Sequence, residues 1–489
     1  MNPDLFAIVP VLIVALGGIG LLLFPRVRSA RVLGMLTLVV LLTAFDLTLR
    51  AMLQQPVSIS LFSGMFLQDR FTRFFQLGIL AAMMLVILSV MGYARERLRE
   101  RREIYALLLL ITVGMLLLVG AQHLALIYVG LETISILSYL LTALLRKESL
   151  STEAGLKYFL FGSLATGAFL YGVSLLYGLT GTMDLPVLAV QFPKAMEQAP
   201  ALGAAILFLL VTGFGFKVAL VPFHMWAPDA YEGAPTPVAA FISTAPKLAG
   251  FAVLARVFLT GISPQVGLWP VLLGVLAALT MTVGNVVALA QTNVKRLLAY
   301  SSIAQAGTMV IGLAVATPLG LTATLYYLLA YLLMNMGAFL GVIAVGNASG
   351  REDLGAFNGL SRREPFLALM IALSFLSLAG VPPLAGFFAK MWIFGAAIKS
   401  GAVWLAVVAA VNSAIALFYY MKVVKAMYLD PSPAGAPPMP RSRTIRLALI
   451  LCTVGLFVVG LLPGRWLLMA GDSLPIPVQA GDLPWLPVH

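Results

Sequence analysis

The sequence predicts an all-α, polytopic membrane protein with about fourteen transmembrane helices. Of its 489 residues, 61% are hydrophobic and only 10% are charged, whereas soluble domains carry roughly 25% charged residues. Fourteen apolar runs are long enough to cross about 30 Å of hydrocarbon, which takes about 20 residues in a helix. The basic residues also fall unevenly on the two sides that these spans define. Together these observations exclude a soluble globular protein.

The spans follow one another with short linkers, so no segment between them is large enough for an aqueous domain that binds a nucleotide. Their predicted centres are Ile13, Val40, Leu85, Thr112, Ile134, Ala168, Gly213, Ala249, Ala277, Ala306, Leu332, Leu378, Ala410 and Phe457. We expect one membrane unit in four parts. These are helices 1–3 in residues 1–103, a five-helix repeat in 104–260, a second repeat in 261–430, and helix 14 with a tail in 431–489.

Basic residues mark one side of the predicted membrane. Loops that join an odd span to the next even span hold 21 Lys and Arg residues, and the opposite side holds seven. Because cytoplasmic loops carry the excess of Lys and Arg, both termini are predicted on the outer side of a bacterial cytoplasmic membrane. Topology and lipid contacts then account for the net charge of +12, and we expect no nucleic acid partner.

Three lysines and one glutamate fall deep within predicted spans. Glu132 lies in span 5, and the lysines are Lys217 in span 7, Lys247 in span 8 and Lys390 in span 12. A charge at mid-bilayer costs about 2.5–3.5 kcal/mol on insertion scales, and one carboxylate cannot neutralise three ammonium groups. Each residue alone is compatible with helix locking or snorkelling. The set of four predicts a proton pathway, because burial and like charge make a lysine release its proton more readily.

Prolines interrupt two of the lysine-bearing spans. Pro222 follows Lys217 by five residues. In span 12, Pro382 and Pro383 precede Lys390 by about two turns. A proline frees backbone carbonyls, which are tolerated in a membrane only when they are buried in protein or line a wet cavity. Broken helices 7 and 12, five spans apart, are typical of inverted-repeat transporters, so spans 4–8 and 9–13 are predicted to be two inverted five-helix repeats.

Other polar residues are weaker candidates. Lys295 opens span 10 and is either an interfacial anchor or the cytoplasmic end of a relay, and His224 has either a relay or a structural role. Asp229 and Glu232, in the loop after span 7, are candidates for proton uptake. Residues that either hold water or form ordinary helix–helix hydrogen bonds are Thr133, Ser135, Ser138, Ser243, Thr244, Asn285, Asn335 and Asn412.

The sequence offers no ligand set for a redox cofactor. The single cysteine, Cys452, excludes a disulfide framework, a Cys-ligated zinc site and an iron–sulfur cluster. The three histidines, His123, His224 and His489, are too scattered to suggest haem or a metal centre. No Gly-rich phosphate loop follows a predicted strand. We therefore expect no cofactor in this chain.

Four long stretches carry a family resemblance. They are GLETISILSYLLTALLRKESLSTEAGLKYFLFGSLATG, FKVALVPFHMWAPDAYEGAPTPVAAFISTAPKLAGF, NVKRLLAYSSIAQAG and LAGVPPLAGFFAK. These stretches resemble the N-subunit family of bacterial NADH:quinone oxidoreductase, respiratory complex I, over roughly residues 100–430. Lysines in both span 8 and span 12 favour the N-type over its antiporter-like L and M relatives.

The resemblance implies a role for each buried charge. Glu132 would pair with Lys217 and modulate its proton affinity. Lys247 would link two half-channels, and Lys390 would exchange protons with the outer face. The chain would be one subunit of a translocase whose flavin, iron–sulfur clusters and quinone lie in other subunits. Its implied partners are lipids and other membrane subunits, including an M-type antiporter-like subunit and small K- and J-type subunits.

Three alternatives stay open at this point. The chain could belong to a cation/proton antiporter, although it has no additional intramembrane carboxylate cluster for sodium. It could serve a related complex that uses ferredoxin or another electron donor. It could also be a structural spacer whose charges only fix helix packing. Sodium-dependent flux would indicate a sodium/proton antiporter. Substitution of Lys217 separates a spacer from a pump, because a spacer would lose assembly and a pump would lose coupling.

Overall fold

A computed structural model describes residues 3–23, 29–54, 58–93, 102–263, 266–432 and 442–476. Several residues used in the charge asymmetry lie outside the described residues, namely Arg26, Arg28, Arg95, Arg97, Arg99, Arg101 and Arg441. So does the chain beyond Ile476, which includes most of the Pro-rich tail.

Helices dominate the described chain. The first half contains α1 (Pro3–Leu23), α2 (Ala30–Gln54), α3 (Arg70–Met91), α4 (Arg102–Leu118), α5 (Leu124–Thr142), α6 (Ser149–Thr180), α7 (Leu185–Gln198), α8 (Pro200–Val218), α9 (Trp226–Gly233) and α10 (Thr236–Ala255), which continues as a π-helix (Arg256–Gly261). The second half contains α11 (Leu268–Leu289), α12 (Val294–Ala314), α13 (Pro318–Ser349), a 3-10 turn (Leu354–Phe357), α14 (Leu360–Arg363), α15 (Pro365–Ala379), α16 (Ala385–Lys399), α17 (Val403–Tyr428), α18 (Arg443–Leu461) and α19 (Pro463–Gly471).

The fourteen predicted span centres all fall inside these helices, which confirms the multi-pass architecture. Eleven of the described helices are long and apolar enough to cross a membrane. The other three predicted spans correspond to α1, to the 17-residue α4, and to the consecutive 15-residue helices α15 and α16. Span 12 is therefore two half-length helices, as its prolines predict.

A short β-hairpin is the main departure from the all-helical prediction. Strands β1 (Ile59–Leu61) and β2 (Phe66–Gln68) pair antiparallel, and Phe66 also bridges to Ala121. The turn between the strands needs left-handed backbone, with φ of 93° at Gly64. A search for apolar runs of about 20 residues cannot detect three-residue strands.

The helices α10, α12 and α13 form the centre of the molecule. Within their most apolar windows, 100% of the α10 segment, 94% of α12 and 89% of α13 are buried, compared with 33% for α2 and α6. Lys247 lies on α10, so the fold places this lysine at the centre of the protein. The exposed apolar faces of peripheral helices suit lipid or neighbouring membrane subunits.

Two equivalent backbone contacts occur five spans apart. The residue before α5, His123, bridges to Asp184 beyond the 32-residue α6. The residue before α12, Asn293, bridges to Asp353 beyond α13, which is also 32 residues long. Under the predicted topology these bridges lie on opposite sides of the membrane. The recurrence supports the two inverted repeats, whose boundaries stay a prediction.

Candidate functional site

The break in span 7 begins earlier than its proline. Helix α8 ends at Val218, and Ala219 adopts a left-handed conformation with φ of 61°. Pro222 lies in the connection to α9, so it prevents the helix from resuming and does not itself end it. The structure confirms the predicted break at this position, and the last helical residue, Val218, lies before the proline.

Protein groups satisfy the backbone at this break. The indole Nε1 of Trp226 donates to the carbonyl of Phe216 over 3.1 Å, and the amide of Val221 donates to Oγ1 of Thr280 over 3.0 Å. The amide of Leu220 donates to the Gly215 carbonyl over 2.7 Å. These bonds make the interruption tolerable within a membrane, where an unpaired backbone group costs several kcal/mol.

Lys217 occupies the last turn of α8 and is buried. The carbonyl end of a helix carries partial negative charge, which favours a cation there. The side chain also packs against the central helix α10. A Cβ atom placed on Gly250 would lie 3.4 Å from Cγ of Lys217 and 2.8 Å from Cγ1 of Val218. The glycine therefore permits the close approach of the helices that carry Lys217 and Lys247.

Glu132 and Lys217 face one small cavity but do not touch. The cavity measures about 20 Å³, which is room for roughly one water molecule. Nζ of Lys217 donates to Oγ of Ser135 over 3.0 Å, and the Glu132 carboxylate accepts from Oγ1 of Thr166 over 2.7 Å. No ion pair of 4.0 Å or less joins the two charges, both of which belong to the described chain. The acid and the base are each hydrogen-bonded to a hydroxyl and not to each other.

Lys247, on α10, has its hydrogen-bond partner on α12 and not on its own helix. Its Nζ donates to the carbonyl of Ser302 over 2.6 Å and to the Ser302 hydroxyl, and it lies 5.8 Å from the ring centroid of Tyr331. Ser243 and Thr244, which the sequence suggested as neighbours, donate instead to the Ala240 carbonyl of their own helix. Ser302 is 55 residues away in the chain, so no local signal identified it.

Lys390 binds the end of the preceding half-helix. Its Nζ donates over 2.8 Å to the carbonyl of Ala379, the last residue of α15. Pro382 and Pro383 separate this carbonyl from α16, where Lys390 lies. Both lysines thus belong to the carbonyl end of a broken helix, Lys217 as a residue of its last turn and Lys390 through a hydrogen bond to its last carbonyl. A second small cavity adjoins Lys390 and is lined by Asn285, Ala304, Gln305, Thr308, Asn412, Ser413 and Ala416.

A polar face of α12 connects the surroundings of Lys247 with those of Lys390. Ser302 binds Lys247, while Gln305 and Thr308, three and six residues later, line the cavity beside Lys390. Spacings of three residues keep these side chains on neighbouring turns. Nε2 of Gln305 donates to the Tyr420 hydroxyl over 3.0 Å, and the Tyr327 hydroxyl donates to Oε1 of Gln305. The sequence predicts this helix as span 10, but nothing in it singles out Ser302, Gln305 or Thr308.

Lys295 and His224 lie apart from these groups. Lys295 is buried, donates to the Ala234 carbonyl over 3.0 Å and pairs with Glu352 over 2.9 Å. This arrangement differs from an exposed interfacial anchor and favours a role in joining α12 to the start of α10. His224 is half-buried in the connection before α9, and its Nδ1 has no hydrogen-bond partner in the part of the chain that the structure describes.

Asp229 and Glu232 belong to an ion-pair cluster. Arg296 bonds to both carboxylates, over 2.9 Å and 2.6 Å, and Lys157 pairs with Asp229 over 2.8 Å. Burial favours the neutral form of Asp229, but the hydrogen bonds from Lys157 and Arg296 outweigh it and hold the pKa of this carboxyl below its usual range. A carboxylate held in this way is suited to fixing α9 against α6 and α12. It is a weaker candidate for proton uptake than the sequence suggested.

We expect Gly380→Ala to disturb Lys390 specifically. Gly380 has φ of 90°, and a Cβ atom there would lie 3.0 Å from Cδ and 3.3 Å from Nζ of Lys390. Gly401 is a matched control, because its φ is 82° and a Cβ atom would meet nothing within 4 Å. Both substitutions cost about 1–3 kcal/mol of backbone strain. If the chain moves protons in a complex as the family resemblance implies, only Gly380→Ala should lower the ratio of protons moved to electrons transferred. Equal ratios for the two variants would contradict this arrangement.

Comparisons with known proteins agree with the multi-pass helical fold. Residues 121–416 match the family described as NADH:quinone oxidoreductase/Mrp antiporter, transmembrane. NADH-quinone oxidoreductase subunit N of Heliobacterium modesticaldum is 42% identical over 84% of this chain and 86% of its own, and that of Myxococcus xanthus is 39% identical over 94% and 95%. A chain of respiratory complex I from Thermus thermophilus with bound aureothin is 36% identical, with a TM-score of 0.79 over 94% of this chain and 99% of its own. A chain of the Mrp complex from a Dietzia species shares the fold, with 23% identity and a TM-score of 0.85 over 97% of both chains.

Proposed function

We propose, from the premise that this chain belongs to the family of NADH-quinone oxidoreductase subunit N, that protons move through it by way of Glu132, Lys217, Lys247 and Lys390. The family match and the similar N subunits confirm the family resemblance found in the sequence. The chain is an antiporter-like, proton-translocating, multi-pass membrane subunit of an enzyme complex, and other membrane subunits are its partners. The roles of the individual residues are our proposal.

The bonding of the three buried lysines carries this proposal. Within the described chain, none of them has a carboxylate within 4.0 Å, and each Nζ donates to a carbonyl or a hydroxyl. A lysine can donate such a hydrogen bond either as the ammonium or as the neutral amine. These sites therefore permit a change of protonation without loss of the hydrogen bond, whereas a contact ion pair would hold the ammonium form. A proton carrier needs this property.

We propose that Glu132 is the residue through which a redox-driven change in a partner subunit acts on this chain. Glu132 is half-buried, and Val129 and Ile136 on the same face of α5 are 52% and 51% exposed. A carboxylate at membrane depth cannot face hydrocarbon cheaply, so a partner subunit must cover this face. A charge or conformational change in that partner would move the Glu132 carboxylate relative to Lys217, and the proton on Lys217 would then pass towards Lys247.

The polar face of α12 is the proposed route onward from Lys247 to Lys390. We propose exchange with the outer side of a bacterial cytoplasmic membrane at Lys390, and both termini on that side, as the charge asymmetry predicts. Flavin, iron–sulfur clusters and quinone would reside in other subunits. The covering partners would include an M-type antiporter-like subunit and small K- and J-type subunits.

We expect Lys247→Met to interrupt this route. Methionine keeps much of the side-chain length but has no titratable amine, and proton-transferring groups typically contribute about 10²–10⁴-fold to a rate. Lys422→Met is a matched control, because Lys422 also donates to a backbone carbonyl, that of Leu289 over 2.6 Å, but is exposed. In complexes reconstituted into vesicles, the ratio of protons moved to electrons transferred should fall for Lys247→Met alone. An unchanged ratio in an assembled Lys247→Met complex would exclude this route.

A further inference from the structure

Glu132 accepts a hydrogen bond from one hydroxyl that the proposed route does not use. Oγ1 of Thr166, on α6, donates over 2.7 Å to Oε1 of Glu132, on α5. We propose that Thr166 is a positioning residue that holds the Glu132 carboxylate away from Lys217 and so keeps the lysine free to release its proton. This inference rests on the proposed function. It names Thr166 as the residue that sets the distance between Glu132 and Lys217, the first acid and the first base of the proposed route.

The hydrogen bond of Thr166 differs from those of most mid-helix threonines in the part of the protein that the structure describes. Threonines in the middle of helices commonly donate to the carbonyl four residues earlier. In this structure such bonds are made by, among others, Thr37, Thr43, Thr48, Thr112, Thr133, Thr142, Thr180, Thr212, Thr244, Thr280 and Thr282. Thr166 donates across to a neighbouring helix instead. Its hydroxyl is therefore directed at the carboxylate and does not serve its own helix.

The geometry gives Glu132 two competing partners. Thr166 and Lys217 both line the cavity of about 20 Å³ that Glu132 faces, and Ser135 accepts the hydrogen bond of Lys217 within it. A hydrogen bond to an ionised group shifts such a balance by about ten- to hundredfold. Loss of the Thr166 hydroxyl would therefore favour the arrangement in which Glu132 pairs directly with Lys217. Direct pairing stabilises the ammonium form and makes proton release harder.

The test is Thr166→Val in the complete complex, reconstituted into vesicles, with proton movement and electron transfer measured together across a pH series. Valine has nearly the shape of threonine but cannot donate. We expect the pH profile of the ratio of protons moved to electrons transferred to shift to higher pH by about one unit. Thr166→Ser should restore the original profile. Thr212→Val, which removes a hydroxyl bonded only to the Phe208 carbonyl of its own helix, should leave the profile unchanged.

A second substitution shows whether Thr166 acts through Glu132. In a Glu132→Gln background, Thr166→Val should add no further shift, because coupled residues are not additive. An equal shift in both backgrounds, or a wild-type profile for Thr166→Val, would overturn the inference. If the valine variant does not assemble, Thr166→Ala removes the same hydroxyl without bulk and is judged by the same outcomes. Failure of the proposed function is distinct, because Lys217→Ala would then also keep its full proton ratio.

Discussion

Replacing Lys217 with alanine is expected to lower the ratio of protons moved to electrons transferred while the complex remains assembled. Alanine removes the amine at the carbonyl end of α8 and leaves Glu132 with its Thr166 hydrogen bond. Proton transfer through this chain should fall by about 10²-fold or more. The measured ratio of the whole complex should therefore drop by the share that this chain contributes. Electron transfer should persist or slow, because we propose that its redox groups lie in other subunits.

The measurement requires complexes matched for assembly. Lys425→Ala serves as a control, because Lys425 is also helical but is 63% exposed and pairs with Asp430 at the surface. It should leave the proton ratio unchanged. An assembled Lys217→Ala complex with a full ratio would assign the lysine a structural role. A variant that loses assembly but, where assembled, pumps normally would favour the spacer hypothesis.

The main features of the fold could be predicted from the sequence because the membrane limits which residues a spanning helix can contain. Twenty-residue apolar runs give the spans, and the energetic cost of buried charge singles out Glu132 and the three lysines. The breaks at Pro222 and at Pro382 follow from the missing backbone donor of proline. Each of these signals is local in the chain, which is why it could be read without a structure.

The partners of these residues could not be predicted in the same way. Thr166 and Ser302 lie 34 and 55 residues from the charges that they contact. Both are small polar residues of the kind that usually form ordinary helix–helix or intrahelical bonds in a membrane. They differ from other residues of this kind because the packing of α6 on α5, and of α12 on α10, brings each of them to a buried charge. Glu132 and Lys217 were predicted to pair, and the structure places them around one cavity without contact.

Asp69→Ala is expected to destabilise the protein strongly through a second buried charge, Arg256. Nη2 of Arg256 lies 2.7 Å from Oδ1 of Asp69, and the arginine side chain is only 1% exposed. Arg256 also donates to the Val119 carbonyl over 3.1 Å and stacks 4.7 Å from the ring centroid of Phe71. Removing one partner of a buried pair costs about 3–5 kcal/mol, because the other charge stays buried and unpaired.

The same substitution removes a helix cap. Asp69 precedes α3 and accepts from the amide of Thr72 over 2.8 Å, a contact whose loss costs about 0.5–2 kcal/mol. Burial favours the neutral form of Asp69, but Arg256 outweighs it and holds the pKa of the carboxyl below its usual 3.8. Because the folded-state pKa lies below the unfolded-state value of 3.8, the ionised carboxylate stabilises the fold fully above pH 3.8. This contribution is lost as pH falls through the folded-state pKa. The pair is therefore fully ionised, and fully stabilising, at neutral pH.

The Asp69–Arg256 pair differs from Glu132 and Lys217 in its contacts, and we expect it to have a structural role and not a role in proton transfer. Asp69 contacts Arg256 directly, as a permanent ion pair does, whereas Glu132 and Lys217 are each bonded to a hydroxyl and form no ion pair with each other. Asp69→Ala should therefore lower the unfolding temperature in detergent and the yield of assembled complex, with a normal proton ratio in what assembles. Asp46→Ala breaks an exposed pair with Arg50, whose side chains are 55% and 62% exposed, and should cost at most about 1 kcal/mol. If Asp69→Ala were as mild as Asp46→Ala, Arg256 would not depend on Asp69, and direct contact would not distinguish a structural pair from a proton-transfer pair in this protein.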